Sequence, residues 1–433
     1  MNLCFRVRAQ KLKLGVVVII FSVIILLFVN WWKVPALTDL SRARTSPRRE
    51  LKSPPHENKM EQTQKRTTRT ENGKAAVGKQ KMPTAAVQPR ATRKAMITPD
   101  KKALFLNQSD QYGEDVTYVN RTCPDTIRTR IAGTQLQPLF LPRIPVLQWK
   151  KHATREEHER LRKHGGAQGW MDVEWNILNE TLNLLNSSAN GYMFDDWQQR
   201  HPANPSCIRC AVVGNGGILN GSKVGAEIDQ HDYVFRVNAA ILKEFEEDVG
   251  KRTSFYVFSS NTMINSLSNY ESDGFRETPK SMETRYVFVP DHDMDYLLLK
   301  DALTQSKFYK KKNMESPAFY FGKDLRKEKF KMLHPDFMRY LMNRFLWDSI
   351  LTTEDKDVYR VSTGAAMLLA AIHTCDQVSA YGFITPDYDK YSEHYYDKIY
   401  KEFIFYSNHN FKLEMELWQK LHKNGIIKLH SRQ

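Results

Sequence analysis

The chain has 433 residues and a formal net charge of +15, from 64 Lys and Arg against 49 Asp and Glu. The excess sits in two places: residues 1–13 carry +4, residues 33–102 carry +12, and the remainder, with 42 basic and 43 acidic side chains, carries −1. A nucleic-acid enzyme would place its basic patch on the folded part, so a neutral folded part argues against that class.

Residues 1–13 form a short basic tail with Arg6, Arg8, Lys11 and Lys13 and no acid. Residues 14–29 are apolar apart from Gly15 and Ser22, and Trp31 and Trp32 close the run. A helix needs about 17–20 such residues to span a bilayer, and the tryptophans supply an interfacial belt. The alternative is a cleaved signal peptide, but Trp31-Trp32-Lys33 offers no small-residue cleavage site. The segment 14–32 therefore reads as an uncleaved anchor. Its basic flank stays in the cytosol, and the rest faces the lumen. A short span favours the thinner membranes early in the secretory route.

Residues 33–114 are rich in Lys, Arg, Thr, Gln and Pro up to about residue 102, without apolar periodicity. Such a segment cannot bury enough apolar surface to offset its ordering entropy, so a disordered stem is expected. Sequons at Asn107, Asn120, Asn179 and Asn186 are candidate glycan acceptors in a luminal chain. A fifth, at Asn220, lies inside a glycine turn and is expected to stay bare. Cys4 belongs to the tail. Cys123, Cys207, Cys210 and Cys375 make an even luminal set, with three possible pairings. Cys207-x-x-Cys210 resembles a redox or zinc half-site, yet no second pair stands at metal spacing, so no metal is assigned.

The folded domain is expected over 115–433. Its most informative stretch is 207–238, which reads as strand, glycine turn, short helix over 223–230 and strand over 233–237. Gly214, Gly216 and Gly217 let the backbone turn and approach a ligand. The dinucleotide fingerprint fails here, because Leu219 holds the third glycine position and Asn238 stands where a ribose-binding carboxylate belongs. A nucleotide of another kind fits better. Strands are predicted over 254–258, 286–289 and 378–381, with a weaker one over 318–321. Helices are predicted over 335–346, as an amphipathic element, and over 364–374. This alternation argues for an α/β domain with a mostly parallel sheet.

Ser362-Thr363-Gly364 opens the helix at 364. Ser before an apolar helix is an N-cap signal, and the free amides behind it favour an anion such as a phosphate. An ordinary cap with nothing bound is the commoner outcome of that pattern alone. His394 and His409 lie in the C-terminal stretch. A histidine titrates near neutral pH and serves as base or phosphate ligand, although a single one is more often structural.

Together these residues resemble the eukaryotic sialyltransferases. Cys210-Ala-Val-Val-Gly-Asn-Gly-Gly resembles the large sialyl motif, and Ser362 through Cys375 to Phe383 the small one. His394-Tyr395-Tyr396-Asp397 resembles motif III, and His409 with Glu414 the very small motif. Gly-Asn-Gly-Gly-Ile-Leu-Asn and Asn408-His-Asn-Phe-Lys-Leu-Glu look most like the α-N-acetylgalactosaminide α-2,6-sialyltransferase branch, types 1 and 2, and the long basic stem leans toward type 1. The resemblance implies a Rossmann-like, GT-A-related sheet of about seven strands. It implies inverting, metal-independent and cofactor-free transfer of N-acetylneuraminic acid from CMP-sialic acid to the 6-hydroxyl of GalNAc on Ser or Thr of mucin-type glycoproteins. It also implies a type II protein of the Golgi membrane. By the same resemblance Asn215 and Asn238 bind the cytidine nucleotide. Ser362, Thr363, Gly364 and Gly382 hold the donor, His394 contacts its phosphate, and His409 is the catalytic base. Cys210 is implied to pair with Cys375, leaving Cys123 with Cys207. Ile218 departs from relatives that carry Asn there, so that nucleotide contact does not carry over. The acceptor is expected to draw on loops around 261–276 and 290–296. Another linkage, or a non-catalytic glycan-binding protein on the same fold, is the competing reading.

Overall fold

The computed structural model describes residues 110–432, apart from 121, 203–206, 310–315 and 323–324. The expected tail, the anchor at 14–32, the stem as far as 109 and the sequon at Asn107 lie outside the described residues. Among the described residues no helix is long and apolar enough to cross a membrane.

Short runs of Val, Phe, Tyr and Ile make the strands, as β-branched and aromatic side chains suit a pleated, buried surface. They are β1 (Leu147–Gln148), β2 (Arg209–Val213), β3 (Tyr233–Val237), β4 (Phe255–Phe258), β5 (Arg285–Phe288), β6 (Phe330–Leu333), β7 (Gln377–Tyr381) and β8 (Lys428–Leu429). They form one eight-stranded sheet in the order β1-β6-β5-β4-β3-β2-β7-β8. Every pair is parallel except β1 with β6. The sheet has eight strands where about seven are expected; six are longer, and two edge strands of two residues each, β1 and β8, complete it.

Both faces of the sheet are covered, as parallel sheets require. Side chains alternate between faces with period two. Cys210 and Val212 of β2 face one core with Leu368 and Leu369 of α3 (Thr363–Thr374) and Leu417 and Trp418 of α4 (Phe411–Lys423). Ala211 and Val213 face the other, with Leu178 and Leu182 of α1 (Trp175–Leu184) and Leu298 and Leu299 of α2 (Asp293–Thr304). Two disulfides brace the first layer, Cys123–Cys207 and Cys210–Cys375.

Four local expectations need correction. Residues 318–321 are not a strand but part of a helix, Pro317–Phe321. Pro317 at its first turn sets a helical φ where its missing N–H costs nothing. The helix predicted over 335–346 is α-helical only over Pro335–Tyr340, then widens into one π turn over Leu341–Phe345. Nor is it amphipathic: Asp336 and Arg339 are as buried as its apolar residues. The short helix after the glycine turn spans only Gly225–Asp229, because Lys223 sits at φ 58, outside the helical region. Strand β6 went unpredicted since Lys331 interrupts its apolar run. Lys331 is fully buried with its Nζ 2.9 Å from Asp195 Oδ1. Burial of Phe330, Met332 and Leu333, at about 1.5–3 kcal/mol each, carries it in.

The chain runs from β2 outward to β6 on one side, then returns to place β7 on the other side of β2. The order therefore reverses between β2 and β7. Ligands of open α/β sheets bind in the crevice outside the strand carboxyl ends at such a switch point.

Candidate functional site

The glycine turn leaves β2 at this crevice and meets Gly382, which follows β7. Gly214 N–H donates to the Tyr381 carbonyl (2.8 Å) and Gly216 N–H to that of Gly382 (3.0 Å). A Cβ at Gly214 or Gly216 would lie 2.6 or 2.7 Å from the Gly382 carbonyl oxygen, so only glycine permits the approach. Gly382 itself has φ 68. The segment 392–397 then crosses the turn. Gly216 and His394 form an isolated β-bridge, and Tyr395 N–H donates to the Asn215 carbonyl (3.0 Å). A cleft opens here, lined by Gly217, Ile218, Phe383, Tyr388, Ser392 and Phe403 among others.

Asn215 and Asn238 come together at the carboxyl ends of β2 and β3. Asn215 Nδ2 donates to the Val237 carbonyl (3.1 Å). Asn238 takes the left-handed conformation at φ 54, and its buried Oδ1 has no protein partner. Ile218 is buried in the core. Asn220 Nδ2 is engaged by the Tyr395 carbonyl (2.8 Å). Of the other described sequons, Asn120 and Asn186 are exposed and Asn179 is half-buried.

The N-terminus of α3 stands beside the turn: a Cβ at Gly364 would touch Phe383 at 3.9 Å. Ser362 caps α3, its Oγ accepting from the Ala365 N–H (3.0 Å) and donating to Glu414 Oε2 (2.9 Å). Glu414 lies in the first turn of α4. Burial pushes its carboxyl up to about 7, against the pull of the Ser362 hydrogen bond. The two motifs are thus joined by one buried hydrogen bond, with Thr363 and Gly364 half-buried beside it.

His409 immediately precedes α4's cap, Asn410. Its Nδ1 lies 2.9 Å from the Arg360 carbonyl. A carbonyl only accepts, so Nδ1 carries the proton and Nε2 of the neutral ring holds the lone pair. Burial lowers the pKa of His409, outweighing the hydrogen bond to Arg360. The residues on either side of His409 are held too. Arg360 N–H donates to the Asn408 carbonyl (2.9 Å), and Asn410 Nδ2 donates to Asp348 Oδ2 (2.6 Å).

His394 is more enclosed. Burial holds it down to about 4, although the Asp397 carboxylate opposes the shift. Its Nδ1 lies 3.8 Å from both Glu393 and Asp397, but a neutral ring at that distance makes no ion pair, and Nδ1 has no hydrogen-bond partner. Tyr396 stacks on the ring at 5.0 Å, and Tyr270 meets it edge-on at 5.5 Å. Asp397 Oδ2 accepts from the His394 N–H (2.8 Å) and fixes the segment.

Tyr270 and Arg360 were missed as site residues by the sequence reading. Both come from segments without a motif, and only the fold places them. Tyr270 lies in the expected acceptor loop 261–276, and Asp291 of the second loop pairs with Arg360 at 3.4 Å. Cys207 and Cys210 belong to two different disulfides, which removes the metal half-site.

Residues 147–426 match the family described as Glycosyltransferase family 29 (sialyltransferase). The chain is 47% identical over 295 residues to human alpha-N-acetylgalactosaminide alpha-2,6-sialyltransferase 2, covering 68% of this chain and 78% of that one. It is 40% identical over 365 residues to the chicken alpha-N-acetylgalactosaminide alpha-2,6-sialyltransferase 1, covering 80% of this chain and 63% of that one. A mammalian sialyltransferase crystal structure is similar over 73% of this chain and 100% of that one, at 22% identity and a TM-score of 0.45. On the family match and these identities, the chain belongs to glycosyltransferase family 29, the sialyltransferases.

Proposed function

We propose that the chain transfers N-acetylneuraminic acid from CMP-sialic acid to the 6-hydroxyl of a GalNAc O-linked to Ser or Thr of a glycoprotein, with inversion and without a metal. One observation carries the reading. A glycine turn stands beside a capped helix N-terminus, His394 bridges the turn and His409 is held by Arg360 next to the Ser362–Glu414 hydrogen bond, in a chain 47% identical to a relative named for α-2,6 sialylation of N-acetylgalactosaminides. Asn215 and Asn238 bind the cytidine nucleotide, and the unpartnered Asn238 Oδ1 is free to accept from it. Ser362, Thr363 and Gly364 present the first amides of α3, which favour an anion, and Gly382 lets the donor approach the backbone. His394 donates from its ring to the phosphate. His409 Nε2 takes the proton of the acceptor hydroxyl as the new O6–C2 bond forms. The C2–oxygen bond to the phosphate breaks on the opposite face, and its electron pair leaves with CMP. The leaving phosphate is stabilised by hydrogen bonds from the helix amides and the neutral His394 ring, so the step is proposed to need no metal or cofactor.

The location that goes with this chemistry is the Golgi membrane, with residues 14–32 as a type II anchor and the catalytic domain in the lumen. The cysteines support it, since paired thiols persist in oxidising compartments. The test uses the full-length chain in detergent with CMP-sialic acid, EDTA and peptides bearing either bare GalNAc or galactosyl-GalNAc. An α-2,6 product on GalNAc is expected. A different linkage overturns the acceptor assignment. Absence of transfer with CMP still bound overturns catalysis and leaves a glycan-binding protein on this fold.

A further inference from the structure

Soluble proteins seldom expose contiguous apolar surface without use. Among the described residues eleven large apolar side chains are exposed, and five of them fall between 399 and 406. Ile399 is 80% exposed, Tyr400 58%, Ile404 51% and Tyr406 49%, with Phe405 beside them. This stretch is the connection between His394 and His409, so its two ends are pinned to the two candidate catalytic rings.

The pinning is visible in the contacts. Glu393 N–H donates to the Lys401 carbonyl (2.9 Å), and Tyr400 Oη donates to the Asp389 carbonyl (3.1 Å). From there a chain of aromatic rings leads to His409. Tyr388 meets Phe405 at 5.4 Å, Phe405 meets Phe403 at 5.1 Å, and Phe403 meets Phe411 at 5.3 Å. Phe411 lies 5.5 Å from the His409 ring. Two of the five exposed side chains, Phe405 and Tyr406, are thus linked ring by ring through Phe411 to the His409 ring.

We propose that this strip is the docking platform for the acceptor's polypeptide: an extended, proline-containing Ser/Thr segment bearing the O-linked GalNAc. The proposal rests on the acceptor assignment made above and adds the site for the peptide itself. Ser/Thr-rich chains that carry O-glycans are commonly rich in Pro. Such chains favour the polyproline II conformation, which aromatic-lined surfaces bind at low entropic cost. A peptide laid along Tyr400, Ile404 and Tyr406 would present its sugar at His409. The donor pocket, on the glycine-turn side of His394, would be untouched.

The test measures KM with the full-length chain in detergent for two acceptors, GalNAc on a single Thr and GalNAc on a proline-containing peptide of a dozen residues or so. Ile399→Ser, Tyr400→Ala and Ile404→Ser are compared with wild type. Losing one half-buried apolar contact should raise KM for the long glycopeptide by about tenfold. The KM for CMP-sialic acid and the rate on GalNAc-Thr should stay as in wild type. Tyr400→Phe, which keeps the ring and loses the hydrogen bond to Asp389, should raise that KM less than Tyr400→Ala does. Unchanged glycopeptide KM in all three variants overturns the platform while leaving the transferase assignment intact, and this holds even if the strip proves to contact a second copy or a membrane. An equal loss on both acceptors also overturns it, since the strip would then only support the site. Wild-type chain that transfers to neither acceptor overturns the transferase assignment and the platform with it.

Discussion

His409 owes its proposed role to two local facts that a motif cannot state. The Arg360 carbonyl fixes the tautomer, and burial keeps the ring neutral. His409→Ala should lower turnover by about 10²–10⁴ while CMP still binds, because the donor contacts proposed above lie elsewhere, at the ends of β2, β3 and β7, at the start of α3 and at His394. Near-wild-type turnover in the purified variant would remove the base assignment. The pH dependence follows from the same geometry. Desolvation disfavours the cation, so the pKa falls below the ordinary histidine value. The reactive form is the neutral one. The acidic limb of kcat should therefore lie below the pH at which a free histidine is half protonated, and activity should persist into mildly acidic conditions. A limb at or above that value would mean that another group titrates.

At the level of elements, the motif-bearing units were the legible ones. Strand β2, its glycine turn, β3 and the Ser362 cap of α3 each carry a local signal: an apolar run, a glycine, a hydroxyl before a helix. What escaped the sequence was decided by distant partners. Lys331 hid β6 because nothing near it in the chain announces Asp195. The helix at Pro317–Phe321 hid because a four-residue apolar run has no period of its own. At the site, Arg360 and Tyr270 escaped for the same reason, being placed only by tertiary contact. The link that holds the legible units in register is Cys210–Cys375, from the start of β2 to the end of α3, across 165 residues. Closing a loop of that length restricts the unfolded chain, and losing it costs about 2–5 kcal/mol. A Cys210→Ser/Cys375→Ser variant should therefore melt at lower temperature, with donor affinity falling as α3 loosens from the turn. Unchanged melting and donor KM would show that packing alone holds α3.

Over the whole molecule, charge divides the chain into a basic leader and a neutral catalytic part, but the boundary does not follow composition. Residues 110–114 precede the expected start of the domain at 115, yet they pack on it. Arg344 Nε lies 2.9 Å from Asp110 Oδ1, the Tyr112 ring meets Tyr340 edge-on at 5.9 Å, and Gly113 N–H donates to Asp336 Oδ2 at 2.8 Å. Asp336 is a fully buried carboxylate shared by Arg160 and Arg339. Five residues of polar sequence gave no sign of this, because the groups they satisfy lie more than 220 positions away. A buried charge tolerates the loss of a donor poorly, at about 1.5–3 kcal/mol for a hydrogen bond to a charged group. A fragment beginning at residue 115 should accordingly unfold at a temperature several degrees lower than one beginning at residue 104, since about 1 kcal/mol shifts Tm by a few degrees in a domain of this size. Asp336→Asn should narrow the difference between the two fragments, because a neutral side chain misses the Gly113 donor less. Equal melting of the two fragments would return residues 110–114 to the stem.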